Sequence, residues 1–494
     1  MEEKIETAAA AGGPGEKGTG RALLLLLLVP LSFRAALLPL LAVTYDEAAY
    51  SWTASRLFAH GGWLDFYGVR DLFFWPPLFN YLAALPVALG IDRLYAVRIV
   101  TLIISSGIPP LLYLLVLRAG YGSRAAWLAA LFWIVNPWVL RYSVVGEPDV
   151  PLLAFVLLAA VLLQRARDDG RVRTAVLSAA ALAASIWLKE TAIGLAPLFP
   201  LLLWRRRTLL LAWILAFLAF LLPVLAPSFL STPYGLFFEL NNPLVRWNGI
   251  RLDNVLIGII RIQGLEPLAD ARLQFAASLM VAVTLVVSVA SAWTAIRRGD
   301  FLLRFSAASL LVFIAFFAVF WKKYTWYAIT PYAFLVPFLG VYLSRFRRWA
   351  WIYLALLILP SAIAVVQFTN RHGEAALLAA LRAAESERRD ASVVVMPPRL
   401  AELLVERSGL AVRVAPVPYG KACEKRPEDC LLDDDYLLGR DRDIRTMLTA
   451  LFCGKPNPPG DCGRVAGSFL VPARLVGVWE DQWLYRVHAP EASK

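Results

Sequence analysis

The sequence is short of charge. Of 494 residues, 17% are Asp, Glu, Lys or Arg and 59% are hydrophobic, with a mean hydropathy of +0.61. A soluble globular chain has about a quarter of its residues charged. Three soluble domains are therefore excluded, and so are a disordered chain, a collagen and a coiled coil. Cysteine is scarce and confined: Cys423, Cys430, Cys453 and Cys462 all lie in the polar C-terminal part. No CxxC spacing is present, which favours two disulfides in an oxidising exterior over a zinc site, with the pairing left open. The polar C-terminal part shows neither a Gly-rich phosphate loop nor a nucleophile elbow, and the sequence has no Asn-x-Ser/Thr sequon. What remains is a polytopic α-helical membrane protein.

The net charge of +12 does not point to nucleic acid. The basic residues stand in short groups between apolar runs: Arg165, Arg167, Arg171 and Arg173; Arg205, Arg206 and Arg207; Arg297 and Arg298; Arg345, Arg347 and Arg348. That is the pattern of cytoplasmic loops under the positive-inside rule. No interleaved aromatic and basic stripe suited to single strands is present.

Residues 1–20 are rich in Ala, Gly and Glu and read as a disordered cytoplasmic tail. Apolar segments long enough to span, by the criterion of about 20 residues, are expected at 21–43, 95–117, 124–142, 150–166, 173–189, 191–204, 208–229, 273–296, 301–321, 325–344 and 349–367. A shorter apolar run at 76–90 reads as an interfacial or re-entrant helix. Eleven spans from a cytoplasmic N-terminus put every arginine group inside, together with Arg118 and Arg124. The same count puts the 44–93 loop, the SVVGEPD turn, the 230–272 loop and everything after about 370 outside. Residues 21–369 are thus the membrane domain and 370–494 an extracytoplasmic domain. In the latter, strand-like runs at 392–396 and 411–417 flank a helical pattern at 399–407, which predicts a small α/β unit.

Three groups of residues carry candidate chemistry. Asp46 and Glu47 follow the first span, either as first-turn residues of a helix or as carboxylates aimed into an outer cleft. Glu147 and Asp149 lie in the SVVGEPD turn, where Asp149 either caps the next helix or faces the same cavity. The third group is basic: Arg98, Arg141 with Tyr142, Lys189, and Lys322 with Lys323. Each cation alone reads as a snorkelling anchor. Several on the outer side together suggest an anionic partner such as a lipid-linked phosphate. Trp75, before Pro76-Pro77, belongs to an aromatic belt or to a groove for a prenyl chain or sugar.

The order of these blocks resembles a known family. The Asp46-Glu47 pair, WPPLFNYL, Arg98, NPWVLRYSVVGEPDVPLLAF, WLKETAIGLAPLFPLLLW and KKYTWYAITPYAFL recur in sequence in GT-C glycosyltransferases. The pattern is similar to that of protein O-mannosyltransferases and lipid A aminoarabinose transferases, over residues 25–345. The resemblance implies a GT-C membrane fold and transfer of one sugar from a polyprenyl-phosphate carrier to a protein, glycan or lipid acceptor outside the cell membrane. Asp46 matches the family's catalytic carboxylate and Asp149 the acidic residue of its second outer loop. Trp75 departs from the pattern, standing where the aminoarabinose transferases carry a lysine. A phosphate-binding role at that position then falls to Lys189, Lys322, Lys323 or an arginine.

A sugar phosphate already has a good leaving group, so the chemistry asks for a base, which Asp46 supplies, and for cations at the departing phosphate. Attack opposite the phosphate inverts the anomeric centre. Glu47, Glu147 and Asp149 orient the base or the sugar; alternatively Asp46, Glu147 and Asp149 hold a divalent metal through oxygen. The competing class is a lipid or solute transporter. Internal repeats and charges at mid-membrane are its marks, whereas no repeat is apparent here and the notable charges fall at span ends.

Overall fold

The computed structural model describes residues 16–59, 78–231, 286, 290, 293, 297, 300–319, 329–369, 372–387, 389, 391–395, 398–415, 436–440, 473–479 and 482–487. They fall into two compact units. One comprises Met1–Leu40 with Thr53–Phe368, the other Leu41–Trp52 with Thr369–Lys494.

The first unit is helical. Its helices are α1 (Glu16–Leu37), the later part of α2 (Tyr45–Ala59), α3 (Leu78–Ala88), α4 (Arg93–Ser106), α5 (Ile108–Arg118), α6 (Gly122–Ile134), α7 (Pro137–Tyr142), α8 (Pro151–Asp169), α9 (Val172–Leu188), a 3-10 turn (Glu190–Leu195), α10 (Leu198–Leu203), α11 (Arg207–Ser231), α12 (Phe301–Val319), α13 (Ile329–Leu343) and α14 (Arg347–Phe368). Among the described residues, two runs are long and apolar enough to cross a membrane: Gly18–Leu37, of 20 residues, and Arg93–Arg118, of 26. The second is α4 and α5 taken together. Their junction at Gly107 follows from Pro109 and Pro110, which lack the N–H that would continue the α4 ladder. Leu24, Leu25, Val29 and Phe33 on α1, Leu211, Leu215 and Leu222 on α11, and Trp349, Trp351 and Leu356 on α14 all face outward. Exposed apolar stripes on this scale suit lipid, not water.

Two expected spans are divided differently. The 124–142 segment is interrupted because Asn136 precedes a proline and takes an extended conformation, φ −69° and ψ 129°. Its side chain then caps α7, accepting from the N–H of Trp138 at 3.0 Å and of Val139 at 3.1 Å. The 191–204 segment is a 3-10 turn followed by the six-residue α10, with Pro197 between them. The 273–296 segment lies outside the described residues, apart from isolated helical positions at 286, 290 and 293.

Packing follows membrane rules, with small residues bringing backbones close. α8 and α9 form an antiparallel hairpin closed at Gly170, whose φ of 68° is the left-handed cap that glycine adopts most readily. Ser178 on α9 donates to the carbonyl of Ala159 on α8 at 2.8 Å and accepts from the Trp213 indole of α11 at 3.3 Å. Gly340 on α13 packs so tightly on α6 that a Cβ there would stand 2.6 Å from the Ala125 carbonyl oxygen and 2.9 Å from the Ala129 nitrogen. Aromatic contacts tie α10, α11, α12 and α13 through Phe199, Trp213, Phe305 and Phe334.

The hairpin also separates the charges. Near its closed end Arg165 pairs with Asp169 at 3.3 Å, and Arg167 covers Phe301 at the start of α12. Asp300, which caps α12, receives the Tyr121 hydroxyl from the α5–α6 turn. One end of the bundle therefore gathers the basic turns. Residues 143–150 and Lys189 lie at the other.

The second unit is α/β. Helix α15 (His372–Glu387) precedes β1 (Ser392–Val395), α16 (Pro398–Ser408) and β2 (Arg413–Ala415), followed by β3 (Tyr436–Arg440), β4 (Ala473–Trp479) and β5 (Gln482–Val487). The sheet order is β2-β1-β3-β5-β4, parallel across β2-β1-β3 and antiparallel across β3-β5-β4. Leu377, Ala380, Leu381 and Ala384 of α15 meet Val393, Ala401 and Leu404 in its core. All four cysteines lie outside the described residues, so the expected disulfides have no counterpart in the described structure.

The close approach at Gly340 makes a prediction. Gly340→Ala must displace the Ala125–Ala129 backbone and costs about 1–3 kcal/mol by overpacking. The thermal midpoint of the detergent-purified chain should fall by several degrees. An unchanged midpoint would contradict this packing.

Candidate active site

The acidic turn is placed by close backbone contact. A Cβ on Gly146 would stand 2.3 Å from Val97 Cγ2 and 3.2 Å from the Val97 carbonyl carbon, so only glycine lets the turn lie directly on α4. One turn along α4, the Thr101 hydroxyl donates to the Glu147 carbonyl at 3.4 Å. Glu147 and Asp149 are both buried, each 3% exposed.

Asp149 does not cap α8, which has Val150 at its N-cap position, Pro151 behind it, and no side-chain hydrogen bond to its first turn. Its carboxylate instead meets Lys189, whose Nζ donates to Oδ1 at 2.7 Å and to Oδ2 at 2.8 Å. Lys189 ends α9 in an extended conformation, and the side chains of Lys189 and Asp149 are 10% and 4% exposed. Snorkelling therefore does not describe Lys189: its charge points into the protein and neutralises a buried carboxylate.

Arg98 is 1% exposed and donates through Nη1 to the carbonyl of Leu38, just beyond the end of α1, at 2.5 Å. One helical turn before Leu38 stands Arg34, fully buried, with all three guanidinium nitrogens enclosed and no acceptor among the described residues. The sequence reading passed over Arg34, Gly146 and Thr101. Arg34 had a visible signal, being the single charge inside a run of some 20 apolar residues. Arg141 covers Tyr142 at 5.4 Å, and the Tyr142 ring stacks on Trp138 at 5.9 Å.

Asp46 and Glu47 belong to the second unit. Thr44 is the residue before α2, and its hydroxyl accepts from the Glu47 N–H at 3.1 Å. The Thr-x-x-Glu spacing is that of a capping box. Both carboxylates therefore sit in the first turn of α2, where the helix N-terminus favours negative charge. Glu47 is buried, and Asp46 is partly exposed. Trp75, Lys322 and Lys323 lie outside the described residues. Among the described residues no three His, Cys, Asp or Glu side chains come together as a metal site.

Residues 75–230 match the family model of dolichyl-phosphate-mannose-protein mannosyltransferases. The chain is similar in structure to ArnT from Cupriavidus metallidurans in the apo state, with a TM-score of 0.63 over 95% of this chain and 97% of that one, at 14% identity. ArnT of the same organism bound to undecaprenyl phosphate matches with a TM-score of 0.58, the same coverage and 14% identity. This is the GT-C glycosyltransferase fold. No curated protein matches by sequence. The fold and the family-model match agree on a membrane glycosyltransferase. The family-model match takes in Arg98, Arg141, Tyr142, Glu147, Asp149 and Lys189. The Asp46-Glu47 pair lies before it.

Breaking a buried ion pair by removing one partner strands the other charge and costs about 3–5 kcal/mol. Lys189→Ala should accordingly lower the midpoint of chemical or thermal unfolding and remove transfer activity. Removing both charges together, as Lys189→Met with Asp149→Leu, should recover much of the stability and none of the activity. Full activity in the double variant would deny the pair any part in the site.

Proposed function

We propose that the chain takes one sugar from a polyprenyl-phosphate donor and transfers it to an acceptor hydroxyl on the extracytoplasmic side. The observation that carries this reading is the buried Asp149–Lys189 pair on a turn fixed to α4, inside the region that matches the mannosyltransferase family model. A turn whose two acids are both buried, with Asp149 held by a lysine, is expensive to build, and a surface cap would need none of it. That ArnT has been captured with undecaprenyl phosphate supports a polyprenyl-phosphate carrier as donor.

In this reading Asp46 is the general base. It takes the proton of the acceptor hydroxyl as that oxygen attacks the anomeric carbon. The bond from the anomeric carbon to the phosphate oxygen breaks, its electron pair leaves with the polyprenyl phosphate, and the new glycosidic bond forms on the opposite face with inversion. Asp149, fixed by Lys189, orients the sugar through its hydroxyls. Since Lys189 is committed to Asp149, the charge that stabilises the leaving phosphate is assigned to arginine, with Arg98 and Arg34 as the buried cations nearest the end of α1, and to Lys322 and Lys323 on the sequence pattern. The separation of basic turns from the acidic turn along the α8–α9 hairpin supports a cytoplasmic N-terminus and an extracytoplasmic second unit.

Asp46→Asn keeps the shape of the side chain and removes its basicity. Transfer from a polyprenyl-phosphate sugar should fall by at least about 100-fold, with expression, elution in detergent and melting unchanged. Activity within a few-fold of the parent would take the base role away from Asp46.

A further inference from the structure

The segment that carries Asp46 and Glu47 does not group with the helices on either side of it in sequence. Leu41–Trp52 clusters with Thr369–Lys494. Among the contacts of the described residues that tie it there, one stands at each end. At the start, the backbone N–H of Val43 donates to Oε1 of Glu374, in the first turn of α15, across 331 residues of chain. At the other end, the Arg399 guanidinium of α16 lies over the Trp52 indole, 3.4 Å from its ring centre. Arg399 is itself held in that orientation: its Nη1 donates to both carboxylate oxygens of Glu402 at 3.0 and 2.9 Å, one turn along the same helix. The face of α16 that bears Arg399 and Glu402 is therefore spoken for, while Ala401 and Leu404 fill the core against α15.

These contacts are more specific than packing requires. A planar guanidinium on an indole fixes the ring's plane as well as its place. A carboxylate that receives a backbone N–H fixes the chain two residues before the first turn of α2. Between the two anchors lie Thr44, Tyr45, Asp46 and Glu47, whose internal order the Thr44 cap already sets. A base must stand within hydrogen-bond reach of the proton it removes, and a displacement of about 1 Å can cost about 100-fold in rate.

We propose that the C-terminal unit is a positioning device for the acidic segment: Glu374 and Arg399 clamp Leu41–Trp52 at its two ends and so hold Asp46 where it acts. This rests on Asp46 being the base. The unit is then part of the catalytic apparatus, with Glu374 and Arg399 as positioning residues that touch neither donor nor acceptor.

The test uses the full chain in detergent with a polyprenyl-phosphate sugar donor. Glu374→Ala and Arg399→Ala are compared with Glu374→Gln, whose amide oxygen still accepts from Val43. Two readouts are taken: hydrogen exchange of the 41–52 backbone, and kcat separated from donor KM. Both alanine variants should speed exchange at 41–52 and lower kcat about 10- to 100-fold, with donor KM and melting little changed. Glu374→Gln should restore both readouts. Exchange at 41–52 unaltered in the alanine variants would overturn the clamp. Faster exchange with parental kcat, in a chain that Asp46→Asn inactivates, would overturn its positioning role. An active Asp46→Asn alongside faster exchange would instead refute the base assignment while leaving the clamp standing, so the two failures are told apart.

Discussion

A carboxylate taken out of water has to be neutralised where it stands, and the membrane unit is arranged around one that is. Asp149 and Lys189 meet where α8 begins and α9 ends, so the pair fixes the open end of the helical hairpin. Because α8 and α9 are antiparallel and close at Gly170, the register that brings those two residues together also sends the arginines of the connecting turn to the opposite end. The turn before α8 must then fit between the pair and α4, and Gly146 on Val97 shows how little room it has. Charge pairing, helix register and backbone contact all converge on the same eight residues of sequence.

The membrane class was legible, and the acidic turn and Lys189 stood out, because each rests on a local signal. Low charge and long apolar runs state the solvent, and a lone acidic turn or an out-of-place lysine shows up against an apolar background. The β-α-β run at the start of the terminal unit was legible for the same reason, through its short alternating apolar stretches. What the pattern could not give was partnership. Lys189 looked like one more cation for a phosphate, since nothing local tells which of several acids 40 residues away it meets. Asp149 looked equally suited to capping a helix. The break at Asn136–Pro137 was written in the sequence, because residues before proline avoid the helical region, yet the apolar run on either side masked it.

The second unit changes how the proposed site residues are divided. By sequence, Asp46 and Asp149 are two outer loops of one bundle; by contact, the Asp46 segment is grouped with the C-terminal α/β unit and the Asp149 turn with the membrane helices. In the proposed mechanism the base and the sugar-orienting acid are thus supplied by different units of a single chain. In that proposal the terminal unit takes a role that its sequence did not declare.

The central claim, direct displacement of a lipid phosphate from a single sugar, is tested most directly by product stereochemistry. The purified chain would be supplied with a polyprenyl-phosphate sugar of known anomeric configuration and a hydroxyl acceptor, and the product and released lipid followed by NMR and mass spectrometry. The account predicts one polyprenyl phosphate released per sugar transferred and an inverted anomeric centre. A retained configuration, or a donor left intact while lipid moves between leaflets, would contradict it.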